Sequence, residues 1–314
     1  MKLGIDMGGM SIKMGLVNEE NKIIGRITIP TDLTVPYQTL VERMADAVRQ
    51  MLENAGMTLE QCGGIGIGSP GTIDAKQGVI LYSNNFGWEN VPIVEELKKH
   101  LDTRIEIAND ADAAALGEVC AGAAEGAENG VLLTLGTGVG GGVILDKKIF
   151  RGAMPGGCEL GHLSIRYDGI RCTCGRKGCL EAYASASALL RIAREKSAEH
   201  PESIMNEMCG NDLEQMNGKI PFDAAKAGDE AGMETVKEYE GYLACGIANV
   251  INTFRPEKVI LGGGVAAQKD NLTAPLKDLV KDMCFGGSHG HIADIVTSVL
   301  GNDAGIIGAA NLVV

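Results

Sequence analysis

The sequence contains one local pattern twice, and this repeat restricts the fold more than any other feature. Residues 3–26, LGIDMGGMSIKMGLVNEENKIIGR, run as an apolar segment, a glycine turn, a second apolar segment, a polar turn and a third segment. Residues 132–152, LLTLGTGVGGGVILDKKIFRG, follow the same order. Short apolar runs separated by such turns predict β-strands joined as hairpins. Two copies of one unit indicate two related lobes with a cleft between them.

Helices and further strands are predicted after each copy, which makes the chain α/β. Tyr37 to Ala55 has apolar residues at helical spacing, and Gly56 ends the pattern. Gly64 to Gly68 and Arg104 to Ala108 predict strands, followed by an alanine-rich helix from Asp110 to Cys120. In the second half we expect helices at about 184–196, 222–252 and 304–313, strands at 258–261 and 294–300, and a loop or short surface helices over 199–220.

Length and charge exclude several classes of protein. A chain of 314 residues exceeds what one hydrophobic core usually serves, so two domains are expected. The net charge of −13 and the lack of a Lys/Arg cluster argue against nucleic-acid binding. No apolar run is long enough to span a membrane, and MKLGIDMGG lacks the apolar core of a secretory signal. We therefore expect a cytoplasmic protein with reduced thiols.

Glycine is about twice as frequent as usual, with 44 residues, many of them in clusters that follow apolar runs. Glycines at strand ends let backbone N–H groups approach a ligand, whereas the simpler alternative is that they only fill turns. Two glycine hairpins facing one cleft would suit a polyphosphate, because successive N–H groups form anion-binding concavities. The Rossmann pattern is weak here, and a Walker A motif is absent.

Three cysteines within eight residues predict a metal site. Cys172, Cys174 and Cys179 stand on a glycine-containing segment, and His162 precedes them by ten residues. Three thiolates and one imidazole form a standard tetrahedral zinc set, which would be structural because no coordination position stays open. Free thiols or a regulatory disulfide are the alternatives, and Cys158 competes with His162 for the fourth position.

Two glutamates lie close to these ligands. A metal loop would hold Glu159 and Glu181 rigidly, and His162 could bind zinc through one ring nitrogen and donate from the other. Carboxylates accept hydrogen bonds from hydroxyl groups, and an imidazole N–H donates a hydrogen bond to a hydroxyl oxygen. The segment therefore predicts a surface that binds a polyol.

Asn109 and Asp110 stand where a predicted strand meets the alanine-rich helix. Either residue suits a helix N-cap, which is the simpler interpretation of the pair. In a cleft between two phosphate hairpins, Asp110 would also be well placed to take a proton from an attacking hydroxyl.

These residues occur within a series of motifs that closely resembles the ROK family (repressors, open reading frames, kinases). The resemblance extends from residue 3 to residue 310 in family order. The matching motifs are Asp6-Met-Gly-Gly-Met10, Gly68-Ser-Pro-Gly71, Asn85-Phe-Gly-Trp88, Glu106-x-x-Asn-Asp-Ala-Asp-Ala-Ala114, Leu135-Gly-Thr-Gly-Val-Gly-Gly-Gly142, Gly156-Gly-x-Glu-x-Gly-His162, Cys172-x-Cys-Gly-x-x-Gly-Cys-x-Glu181, Leu261-Gly-Gly-Gly-Val265 and Leu300-Gly-Asn-Asp-Ala-Gly305.

The resemblance implies the actin-like ATPase (ribonuclease H-like) fold, which agrees with the repeat. Residues 1–118 with 300–314 would form a smaller lobe, and residues 119–299 a larger lobe with the zinc loop. Asp110 would be the catalytic base. The sugar would be bound by Gly71, Asn85, Asn109, Asp110, Glu159, His162 and Glu181. The ATP site would comprise Asp6 near Mg²⁺, with Gly8, Gly9, Ser11, Lys13, Gly136, Thr137, Gly138, Gly262, Gly263 and Gly264.

The implied activity is transfer of the ATP γ-phosphoryl group to glucose, giving glucose 6-phosphate. Cofactors would be ATP, Mg²⁺ and structural Zn²⁺, and dimers are common in the family. Mannose, allose, fructose or an N-acetylhexosamine are alternative acceptors. A sugar-sensing repressor is disfavoured because Met1 leads straight into the first strand, and a non-catalytic actin-like scaffold is disfavoured by the zinc loop. Polyphosphate as donor gains no support from the acidic charge.

One residue departs from the family pattern. The first hairpin usually reads Asp-x-Gly-Gly-Thr, and Met10 stands at the threonine position, followed by Ser11. Loss of one neutral hydrogen bond is worth about 0.5–1.5 kcal/mol, or about tenfold in ATP binding or turnover. We do not interpret Met10 as inactivation, because backbone N–H groups do most of the holding.

Overall fold

The computed structural model describes residues 1–287, 289 and 292–313. None of the helices in those ranges is long and apolar enough to cross a membrane. The strands are β1 Lys2–Met7, β2 Ser11–Val17, β3 Ile23–Pro30, β4 Ile65–Ser69, β5 Thr72–Asp74, β6 Val79–Ser83, β7 Trp88–Val91, β8 Ile105–Asn109, β9 Gly130–Leu135, β10 Val139–Leu145, β11 Lys148–Ile149, β12 Lys258–Gly262 and β13 Asp294–Thr297. The helices are α1 Tyr37–Asn54, α2 Ile93–Lys98, α3 Asp110–Ala121, α4 Glu181–Ala184, α5 Ala186–Glu199, α6 Ile204–Met208, α7 Ile220–Lys226, α8 Glu230–Phe254, α9 Asp270–Met283 and α10 Ala304–Ala310.

The two predicted repeats form two five-stranded sheets with the same topology. The first sheet has the order β3-β2-β1-β4-β8, and the second has the order β11-β10-β9-β12-β13. In the first, β1 is antiparallel to β2 and parallel to β4. In the second, β10 is antiparallel to β11, and β12 is parallel to β13. The repeat found in the sequence is therefore a repeat of whole sheets.

A third sheet, of order β5-β6-β7, received no prediction, and neither did α2 or α9. Its strands have only three to five residues, too few to display an alternating pattern. The segment 199–220 is more buried than predicted, because its residues Met205, Cys209 and Met216 lie together in a small separate hydrophobic core.

The chain divides into two compact units. The first contains Met1–Leu132, Gly142–Cys158 and the end of the chain from Val299, and the second contains Leu133–Gly141 and Glu159–Ser298. In the first unit, apolar side chains of α1, β1, β2, β4 and β8 form one buried cluster. The lobe boundaries given above stay a prediction.

Part of the glycine excess serves the packing of α10 in the first unit. At four glycines a Cβ would collide with a backbone carbonyl of the facing element, so only a hydrogen atom fits. They are Gly4 on β1, Gly66 on β4, Gly117 on α3 and Gly308 on α10 itself. Not every clustered glycine therefore needs a ligand to explain it.

A buried carboxylate fixes the start of the segment that leads to α10. Glu118 of α3 has no exposed surface. It accepts hydrogen bonds from the backbone N–H groups of Ala123 at 2.8 Å, Val299 at 3.1 Å and Leu300 at 3.0 Å. Several backbone donors stabilise a buried carboxylate, and they would lose their partner if it were removed.

We expect Glu118→Ala to lower the free energy of unfolding by about 3 kcal/mol, because three backbone donors would lose a charged acceptor. Chemical denaturation measures this change directly. Glu125→Ala, at an exposed position of the same segment, is the matched control and should stay within about 0.5 kcal/mol of wild type. Equal stability of the two variants would contradict the role given to Glu118.

Candidate active site and metal centre

Thr31 stabilises the turn between β1 and β2, residues Gly8–Met10, by hydrogen bonds to its carbonyl groups. The Gly8 N–H donates to the carbonyl of Ser11 at 3.0 Å and closes the turn. Thr31 donates its hydroxyl to the carbonyl of Gly8 at 2.6 Å and its N–H to the carbonyl of Met10 at 3.0 Å. The N–H groups of Gly9 and Met10 donate to no other group within the described ranges. This first turn can therefore offer two N–H groups to an anion.

Three ionisable residues lie near one another beside the first turn. Asp6 near the end of β1 pairs in register with Lys13 of β2. Burial raises the pKa of Asp6, the positive charge of Lys13 lowers it, and the charge of Asp110 raises it. A Cβ at Gly305 would lie 2.8 Å from the Asp6 carboxyl carbon, so α10 also approaches this group closely. The structure thus brings Asp6, Lys13 and Asp110 into one electrostatic environment.

Asn109 caps α3, and Asp110 is the first residue of that helix. The Asn109 side-chain oxygen accepts from the N–H of Ala111 at 2.8 Å, and its amide donates to the carbonyl of Gly71 at 3.1 Å. Asp110 Oδ1 accepts from the Ala111 N–H at 2.9 Å. Burial raises the pKa of Asp110, and its hydrogen bonds lower it in part. Asn109 therefore provides the cap, and Asp110 places a carboxylate at the start of the helix.

A cavity of about 310 Å³ lies beside Asn109 in the first unit. Its size lies within the range of small-molecule sites. Asp112, Arg151, Met154 and Gly157 are among the residues that line it. One side of Asn109 therefore faces this cavity.

Gly71 and Asn85 lie next to strands of the third sheet: Gly71 immediately precedes β5, and Asn85 lies between β6 and β7. Gly71 has φ of +119°, and a Cβ there would collide with the carbonyl of Tyr82 on β6. Asn85 is exposed in the β6–β7 turn. Gly71 is thus required by the backbone and contacts Asn109, whereas the position of Asn85 adds no contact of its own to the site.

Hydrogen bonds to its carbonyl groups also stabilise the turn between β9 and β10, residues Gly136–Gly138. The Gly136 N–H donates to the carbonyl of Gly138 at 3.0 Å. The carbonyls of Gly136 and Thr137 accept from the Ala186 N–H at 2.8 Å and the Ser187 hydroxyl at 2.9 Å, both in the first turn of α5. Within the part of the chain that the structure covers, the N–H groups of Thr137 and Gly138 have no acceptor. This second turn offers N–H groups in the same way as the first.

The run Gly262–Gly264 begins at the last residue of β12 and approaches the end of β9. Gly263 has φ of +82°, and a Cβ there would lie about 2.5 Å from the backbone of Leu135 at the end of β9. The residue is therefore restricted to glycine by close backbone approach. Gly264 has open space around its Cα, which leaves room for a ligand.

His162, Cys172, Cys174 and Cys179 form one group in the second unit. Their ligand atoms all lie within 4.8 Å of one another. The Cys172 Sγ–His162 Nδ1 and Cys174 Sγ–Cys179 Sγ distances are both 3.7 Å. Two sulfurs bound tetrahedrally to one Zn²⁺ at about 2.3 Å are separated by about 3.8 Å, so the donor set fits zinc. Cys158, the rival ligand, directs its sulfur to the carbonyl of Phe150 instead.

Glu159 and Glu181 differ in their surroundings. Glu159 is exposed, and its carbonyl accepts from the His162 N–H at 3.0 Å. Glu181 is half-buried and accepts from the Val139 N–H at 3.1 Å and from the Thr173 hydroxyl at 3.0 Å.

The sequence did not predict roles for three residues that donate side-chain hydrogen bonds here, Thr31, Ser187 and Thr173. These bonds depend on contacts between segments that no local pattern reveals.

The likeness to known proteins covers nearly the whole chain. The ROK family model matches residues 2–314. The chain belongs to the ROK family. Glucokinase of Thermotoga maritima is 37% identical over 99% of this chain and 96% of its own length. A ROK family glucokinase from Streptomyces griseus, solved with glucose and AMPPNP, has a TM-score of 0.77, 31% identity and coverage of 99% and 98%. ROK hexokinase from Thermus thermophilus has a TM-score of 0.80, 31% identity and coverage of 99% and 97%.

ROK membership confirms the resemblance drawn from the motifs and the expected fold. These solved relatives and the doubled sheet order both correspond to the actin-like ATPase fold. The predicted site residues are distributed over both units. The first holds Asp6, Gly8, Gly9, Ser11, Lys13, Gly71, Asn85, Asn109 and Asp110, and the second holds Gly136, Thr137, Gly138, Glu159, His162, Cys172, Cys174, Cys179, Glu181 and Gly262–Gly264.

We expect Cys174→Ser to remove the metal, because three remaining ligands hold zinc far less tightly than four. Elemental analysis should find about one zinc per wild-type chain and much less than that in the variant. Cys245→Ser, at a half-buried cysteine of α8, is the matched control and should keep its zinc. A wild-type preparation that is fully folded and metal-free would contradict the assignment.

Proposed function

We propose that this ROK protein is an ATP-dependent glucokinase in which Asp110 is the general base. The observation that carries the proposal is the position of Asp110. Its carboxylate is half-buried at the start of α3, beside the capping Asn109 and in electrostatic contact with Asp6 of the first hairpin. A base of this kind and a phosphate-holding hairpin are the parts that phosphoryl transfer to an alcohol requires.

The reaction joins the 6-hydroxyl oxygen of glucose to the γ-phosphorus of ATP. Asp110 accepts the hydroxyl proton as the new O–P bond forms, and the bond from the γ-phosphorus to the leaving oxygen of ADP breaks. Burial of Asp110 raises its pKa, which makes it a stronger proton acceptor than an exposed aspartate. The Oδ1 contact with Ala111 fixes the orientation of the carboxyl group.

Each of the two turns can supply electrostatic stabilisation for phosphate groups. The N–H groups of Gly9, Met10, Thr137 and Gly138 have no acceptor within the described chain, so they can donate to phosphate oxygens. Mg²⁺ enters with ATP as part of the substrate, and Asp6, two residues before the first turn, could hold it through water. Lys13, opposite Asp6, would add positive charge there.

The proposed sugar contacts are polar groups that keep hydrogen-bonding capacity beyond their contacts within the chain. Asn109 has a second amide hydrogen beyond the one given to Gly71, and Glu181 has lone pairs beyond those in use. His162 can donate from the ring nitrogen that does not face Cys172. The remaining proposed contacts are Gly71, Asn85 and Glu159.

Zinc at His162, Cys172, Cys174 and Cys179 would be structural, because four protein ligands complete its tetrahedral set. Its contribution is to fix the loop that carries these ligands. The homodimer remains a prediction from the family, and the cytoplasmic location remains a prediction from the sequence.

Met10 is compatible with this function. Its side chain is 91% exposed, whereas its backbone is held by Thr31. The substitution therefore removes a hydroxyl without moving the N–H groups of the turn. Ser11, the next residue, begins β2 and provides the nearest hydroxyl in sequence.

We expect Asp110→Asn to lower kcat by at least ~10²-fold while glucose binding is retained, because asparagine keeps an oxygen for Ala111 but cannot accept the proton. Steady-state kinetics and calorimetric sugar binding measure the two quantities. Asp102→Asn, at an exposed aspartate, should behave as wild type. Near-normal turnover of Asp110→Asn would remove Asp110 from the role of base.

The acceptor is tested by measuring ADP release with MgATP across glucose, mannose, allose, fructose, N-acetylglucosamine and N-acetylmannosamine. Glucose should give the highest kcat/KM. A different leading sugar would preserve the base and the fold and correct the substrate. ADP release that is independent of any sugar would contradict a sugar kinase altogether.

A further inference from the structure

The segment that follows the metal loop makes two hydrogen bonds to the second turn and one to Val139, the residue after it. Glu181 Oε2 accepts from the N–H of Val139 at 3.1 Å. Ala186 and Ser187 donate to the carbonyls of Gly136 and Thr137. The backbone of the turn is thus fixed on both sides by residues 181–187, and these bonds determine where its remaining N–H groups point.

The other oxygen of Glu181 is held by the metal loop itself. Its Oε1 accepts from the Thr173 hydroxyl at 3.0 Å. Thr173 stands between two of the four metal-ligating residues, Cys172 and Cys174. A single carboxylate therefore connects the loop that would carry zinc to the N–H of the residue that follows the second turn.

The carboxylate also approaches the turn itself closely. A Cβ at Gly138 would collide with Oε2 of Glu181. A side chain at position 138 would therefore require the Glu181 carboxylate to move from its place beside the Val139 N–H.

We propose that Thr173 and Glu181 are positioning residues through which the metal loop sets the geometry of the second turn, and hence the affinity for nucleotide. The proposal rests on the proposed function, in which this turn holds ATP phosphates. Ligation of Cys172 and Cys174 fixes Thr173, Thr173 orients the carboxylate, and the carboxylate orients the Val139 N–H. Sugar binding by Glu181 is compatible, because a carboxylate offers about four lone-pair sites and the named contacts occupy only part of them.

Thr173→Val tests the connection without touching a metal ligand. It removes one hydroxyl while keeping a similar shape. A hydrogen bond to a carboxylate is worth about tenfold or more in an equilibrium, and because it acts on the turn only through Glu181, a part of that, roughly 2–10-fold, is expected in nucleotide affinity. We expect KM for ATP and the Kd for a non-hydrolysable ATP analogue to rise by that factor, with KM for glucose changed less than about twofold and zinc content unchanged. Thr173→Ser, which keeps the hydroxyl, should restore wild-type values.

Hydrogen exchange gives a readout that requires no catalysis. In the absence of substrate, amides of the second turn and Val139 should exchange faster in Thr173→Val than in Thr173→Ser or wild type. Removal of the metal from the wild-type protein with a chelator should produce the same change at the same amides. Ser187→Ala should weaken nucleotide binding without altering the metal.

The outcomes separate this inference from the proposed function. Unchanged nucleotide affinity and unchanged exchange in Thr173→Val would overturn the connection. So would a selective rise in KM for glucose, because it would limit Glu181 to the sugar. A wild-type protein that phosphorylates no hexose would contradict the kinase assignment, while the exchange experiment would still decide whether the metal loop positions the turn.

Discussion

Both glycine turns depend on hydrogen bonds that residues outside the turn donate to their carbonyl groups. A short turn can direct its N–H groups toward an anion only if its peptide planes are fixed, because each plane carries an N–H and a C=O in opposite directions. Thr31 fixes the first turn, and Ala186 with Ser187 fixes the second. The same physical solution therefore occurs twice, although the residues that provide it come from a strand-end loop in one unit and a helix in the other.

This arrangement explains how the first turn tolerates Met10. In the family pattern a threonine hydroxyl at this position could contact phosphate, yet the backbone geometry does not depend on that side chain. Thr31 bonds to the carbonyls of Gly8 and Met10, and the methionine side chain points into solvent. The free-energy cost is then limited to one lost hydrogen bond rather than a distorted turn.

The sequence allowed prediction of those features whose physical cause is local. The doubled hairpins follow from apolar runs broken by glycine, the metal group from Cys172, Cys174 and Cys179 with His162, and the helix start from Asn109. The strands β5–β7 were missed because they are short, and the bonds of Thr31 and Ser187 were missed because they join distant segments. Glycine content was interpreted mainly as ligand contact, whereas α10 requires four glycines for backbone packing alone.

Glu181 shows why a residue's motif does not define its whole role. The motif assigns it to the sugar, but both of its oxygens accept hydrogen bonds from the chain, one from Thr173 in the metal loop and one from Val139 at the second turn. If it binds sugar as well, one carboxylate connects metal, nucleotide and acceptor. Loss of zinc would then weaken binding of both substrates, so a higher KM for glucose in metal-free protein would not by itself identify a sugar contact. Only Thr173→Val, which leaves the metal and the carboxylate in place, separates the two contributions.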